Sequence, residues 1–88
     1  MTIQEITKLQ KANGSWETQE LINSGLVWKM EGSMGRHAMS LLEMGACYLP
    51  KEPKTDYYGN RVPSRDWLEA GSKGTLENTI NYYSNIDY

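Results

Sequence analysis

The chain contains one histidine, one cysteine and three arginines, and the spacing of these residues limits the chemistry open to it. His37 and Cys47 lie ten positions apart. A nucleophilic pair needs contact, an orienting third group and an oxyanion site, and nothing in this spacing supplies them. A zinc site needs more soft ligands than these two residues. The sequence therefore predicts no catalytic residue, no metal site and no cofactor. His37 reads as a polar surface or interface residue. Cys47 reads as a small buried apolar one.

The arginines are more informative. Arg61 and Arg65 lie in "GNRVPSR", after Tyr57, Tyr58 and Asn60 and before Trp67. Arginine among aromatic rings can grip a phosphate and stack a base. The same combination makes a protein–protein hot spot. A plainer reading has these arginines paired with Asp56, Asp66 or Glu69, pinning the segment down. Arg36 follows "EGSMG". That stretch lacks the Lys-Ser/Thr ending of a phosphate loop and does not match a dinucleotide fingerprint. Gly32, Ser33 and Gly35 then have two readings. They permit close helix–helix packing, within the chain or against another subunit, or they leave room for a ligand beside Arg36.

These residues must be positioned by helices. Thr2 and Glu5 have capping-box spacing ahead of Ile3, Ile6 and Leu9, and Asn13-Gly14 ends that helix. Ser15 can cap a second helix that closes at Ser24-Gly25. Val27, Met30, Met34, Ala38, Leu41 and Gly45 then recur at steps of three and four, which predicts one continuous helix over 26–44 with a thin waist at Gly32–Gly35. Met39 and Met44 fall off that stripe, so the helix is apolar on a second side. In so short a chain that side suggests another copy of the protein. Residues 46–74 hold all three prolines and a Gly-Asn turn, and read as an irregular or short-hairpin arm. Thr75 caps a last helix. The expected fold is mainly α: a single domain, 1–88, of about four helices around one long central helix (26–44), with an arm at 46–74.

Nine basic residues against eleven acidic ones give a net charge of −2. That balance argues against general nucleic-acid binding. The longest apolar run is too short to cross a membrane, and "MTIQEITKLQ" reads as a polar helix, not a secretory leader. One thiol beside five methionines suits a reducing compartment.

"SGLVWKMEGSMGRHAMSLLEMG", then "DYYGNRVPSR" and "GSKGT", resembles a family of small uncharacterised proteins encoded by tailed bacteriophages. The resemblance covers about Ile22 to Asn78. It implies a phage product acting in the cytoplasm of an infected bacterial host, and it carries no mechanism. The function expected from it is that of a non-enzymatic accessory protein, anti-defence or host-takeover, that binds and neutralises a host factor. The protein would act as an inhibitor of a bacterial protein or as an oligomeric sponge for a phosphate-bearing nucleotide signal. A small structural virion component is the alternative. The candidate ligand- or partner-binding residues are Arg36, His37, Tyr57, Tyr58, Asn60, Arg61, Arg65 and Trp67.

Overall fold

The computed structural model describes residues 1–30 and 32–85. Helix α1 spans Ile3–Asn13. The Thr2 hydroxyl accepts from the Glu5 amide and the Glu5 carboxylate accepts from the Thr2 amide, which completes the expected capping box. Gly14 closes α1 in the left-handed conformation. Helix α2 spans Trp16–Ser24 and ends at Gly25. Ser15 precedes it, but its hydroxyl donates to Asn13 Oδ1 and does not cap α2. Leu26–Lys29 form a single 3₁₀ turn. Helix α3 spans Ser33–Met44, and helix α4 spans Leu76–Ser84 behind the expected Thr75 cap. Among the described residues the only sheet is a hairpin, in which β1 (Lys54–Thr55) pairs antiparallel with β2 (Arg61–Val62). The protein is a small, mainly helical domain.

The expected continuous helix over 26–44 does not form. Met30 is extended (φ −87°, ψ 144°) and Gly32 takes φ 75°, ψ −127°, a conformation that side chains with a Cβ essentially avoid. Glu31, part of that expected helix, lies outside the described residues. The apolar phase survives the break because the 3₁₀ turn and α3 separately face one core: Val27 and Ala38 are buried, whereas Met30 between them is exposed.

That core has two parts. Ile22, Val27, Ala38, Leu42, Cys47 and Leu49 form the first; Ile6, Tyr48 and Tyr83 form the second. Residues 46–50, bent at Ala46 and Cys47, run between them. Their successive side chains part to the two sides: Cys47 and Leu49 enter one cluster and Tyr48 enters the other. This buried segment pairs with no strand among the described residues, yet its backbone groups must be satisfied. Side chains do most of it. Gln19 accepts from the Tyr48 amide (3.1 Å) and donates to the Tyr48 carbonyl (2.9 Å). Thr79 donates to Cys47 O, and Arg65 Nη1 donates to Leu49 O. Ala46 O accepts from both Gln10 Nε2 (3.0 Å) and the Tyr83 hydroxyl (2.8 Å). The Leu49 amide donates to Gly74 O and the Arg65 amide to Pro50 O, which fastens the later part of the arm to this segment at two points.

Candidate functional site

The hairpin tip is built by Asp56. Its carboxylate accepts from the Tyr58 amide (2.9 Å) and the Asn60 amide (2.8 Å), and its own amide donates to Asn60 O. This closes a side-chain-held turn. The Tyr57 amide donates to Trp28 O (3.0 Å), fixing the tip to the 3₁₀ turn. The tip and one face of α3 thereby become two walls of a cleft of about 730 Å³, with Trp28 and Met30 between them.

Of the predicted site residues, Arg36, Tyr57 and Tyr58 line this cleft. Tyr57 and Tyr58 pack edge to face at 5.3 Å. Arg61 lines a second cleft of about 350 Å³, which shares Trp28, Met39, Glu43 and Asp56 with the first. Its guanidinium stands 5.5 Å from the centre of the Trp67 ring. Trp67 is 73% exposed, so this stack faces solvent. Asn60 holds the tip through its backbone, and its side chain is exposed. His37 is exposed on α3 and lines neither cleft.

Arg65 does not join the others. It donates to Leu49 O at 3.2 Å and lies 5.4 Å from the Tyr48 ring centre, half-buried. It pins the arm, but through a carbonyl and a ring and not through an acid. Among the described residues the only ion pair is Lys54–Glu52. The three arginines therefore do not converge. The cleft that contains Arg36 also contains the carboxylates of Glu43 and Asp56, an unfavourable setting for a bound phosphate.

Within the described chain the glycines do not serve close helix packing. A Cβ built on Gly32 or Gly35 meets nothing within 4 Å, and Ser33 is exposed. These residues pack against no element of the described chain; Gly32 breaks the helix and Gly35 thins the cleft wall.

Trp28, Met30, Met39, Ser40, Glu43 and Asp56 line the first cleft and were not singled out as site residues. Their signal was a second helical stripe, Gly35, Arg36, Met39, Ser40 and Glu43, set off from the core stripe. Trp28 Nε1 is buried at the cleft wall with no hydrogen-bond acceptor among the described residues, leaving a donor whose desolvation is uncompensated.

Burial pushes the Cys47 thiol up to about 12, against a smaller opposing hydrogen bond to Ser15. The thiolate is suppressed at neutral pH, and with it nucleophilic chemistry at this residue. Among the described residues no three His, Cys, Asp or Glu side chains gather as a metal ion requires, and no helix is long and apolar enough to cross a membrane. No known protein family, characterised protein or solved structure matches this chain.

Proposed function

We propose that the protein is a non-enzymatic bacteriophage accessory protein that neutralises a bacterial host protein by binding it through the hairpin arm. The observation that carries this reading is the exposure of three large aromatic side chains on one anchored arm: Tyr58 at 84%, Trp67 at 73% and Tyr57 at 65%. Aromatic residues and arginine dominate protein hot spots because they bury much area at little entropic cost. Arg61, stacked on Trp67, completes that composition. The arm is preorganised by the Asp56 turn and by backbone bonds at Trp28, Pro50 and Gly74, which reduces the ordering cost of binding. The nucleotide-sponge reading needs Arg36, Arg61 and Arg65 on one anion, and Arg65 is committed to Leu49 O.

The test is affinity capture from bacterial host extract with the tagged 88-residue chain and with Tyr58→Ala/Trp67→Ala. A discrete host protein is expected on the wild-type chain and not on the variant. Equal capture by both would reject the arm as the binding surface. Charge reversal at Arg61 and Arg65 that releases a small phosphate-bearing molecule, seen by native mass spectrometry, would favour the sponge instead.

A further inference from the structure

The cleft-facing side of α3 has a charge pattern that complements itself. Arg36 and Glu43 are seven residues, and therefore about 10 Å, apart along the helix and nearly in line on one face. Both line the cleft, as do Met39 and Ser40 between them. Met39 is 48% exposed although it is a large apolar side chain at the centre of this face, and Met30 beside it is 40% exposed. No atom lies within 4 Å of a Cβ placed on Gly35, so another backbone can come close at that end. A helix suited to this face would carry apolar side chains at its centre, an acid facing Arg36 and a base two turns away facing Glu43. Run antiparallel, α3 itself meets each requirement.

We propose that α3 pairs with α3 of a second copy about a two-fold axis passing between Met39 and Ser40. Arg36 of each copy then faces Glu43 of the other, and Met39 of each packs on the other's Ser40. Such an interface is isologous, so one favourable pair is made twice. The exposed ion pairs contribute little affinity by themselves; they set direction and register, while the methionines supply buried area. Arg61 and Trp67 do not line this cleft, so the pairing leaves their stack open, whereas Tyr57 and Tyr58 form its opposite wall and are shared with the host-partner reading.

Sedimentation of the full chain across a dilution series tests the proposal, with far-UV circular dichroism as the fold control. The wild-type chain is expected to dimerise. Arg36→Glu and Glu43→Arg each place like charges opposite one another twice, and each is expected to raise the dimer Kd at least about tenfold. An equimolar mixture of the two is expected to regain dimer, because every facing pair is then opposite in sign. The double variant Arg36→Glu/Glu43→Arg is expected to dimerise with itself for the same reason. A wild-type chain that stays monomeric overturns the proposal and leaves this face to a foreign helix. So does a folded single variant that dimerises like wild type, or a folded mixture that stays monomeric.

Discussion

Residues 46–50 and residues 56–67 are both irregular, and they are satisfied in opposite ways. The first segment is buried, and side chains from α1, α2, α4 and the arm bind its backbone. The second closes its tip locally through Asp56, ties its Tyr57 and Arg65 amides to the backbone of Trp28 and Pro50, and turns its large aromatic side chains outward. The backbone of the first is enclosed in the core, whereas Tyr57, Tyr58 and Trp67 of the second face solvent. One is the scaffold and the other is the surface on offer.

The sharpest way to break that comparison is at Gln19. It is the donor to one backbone group of Tyr48 and the acceptor for the other, and it is fully buried. Gln19→Leu leaves both unsatisfied, so it is expected to cost about 3 kcal/mol or more. Domains of this length have about 4–13 kcal/mol in total, so thermal denaturation should show a fall in Tm of more than about 10 °C. Gln10 is buried equally but redundantly. Ala46 O also accepts from Tyr83, Gln19 Oε1 also accepts from the Tyr48 amide, and Gln10 Oε1 has no partner among the described residues. Gln10→Leu is therefore expected to cost no more than about 1 kcal/mol. Equal losses at the two positions would show that burial, and not the hydrogen-bond pattern, sets the cost.

A second comparison turns on sign. Gly32→Ala forces a Cβ into a glycine-only conformation and is expected to destabilise by about 1–3 kcal/mol. Gly35→Ala sits within α3 facing open space and is expected to stabilise the monomer by about 0.5–1 kcal/mol. A continuous helix through both positions would make both substitutions stabilising in chemical denaturation.

Alkaline pH acts on the scaffold. Desolvation raises Cys47 from 9.0 to about 12 and raises Tyr48 and Tyr83 in the same direction. The fold favours their neutral forms. Their contribution is fully present below about pH 9 and is lost as pH rises through the elevated values. Denaturation midpoints should therefore stay level in this respect up to about pH 9 and fall beyond it, with a smaller fall in Cys47→Ala. The smallest effect belongs to the arm: Tyr58→Ala and Trp67→Ala, at such exposed positions, should each change stability by less than about 0.5 kcal/mol.

The same contrast decides what could be read from the residues alone. Caps and turns are local: Thr2 with Glu5, Gly14, Gly25, Gly45, Thr75 and the Tyr-Gly-Asn tip all end or begin elements as their types dictate. Helical phase is also local, and it misled at 26–44, because two pieces separated by a turn can face one core in register. The binding of residues 46–50 by Gln10, Gln19 and Thr79 was invisible, since glutamine on a helix reads as solvent-facing until the partner carbonyl is placed. At the candidate site, residue type indicated Tyr57, Tyr58, Arg61 and Trp67. It could not show that Arg65 would be spent on Leu49 O, nor that Trp28 and the second face of α3 would complete a cleft with the hairpin tip.

The most direct test of the division between scaffold and surface is affinity capture from host extract with Tyr57→Ala/Tyr58→Ala/Trp67→Ala, read beside the Tm of the same protein. The expected result is loss of the captured host protein, with Tm within a few degrees of wild type. Capture undiminished by the triple change, in a protein that remains folded, would contradict the assignment of the arm as the binding surface.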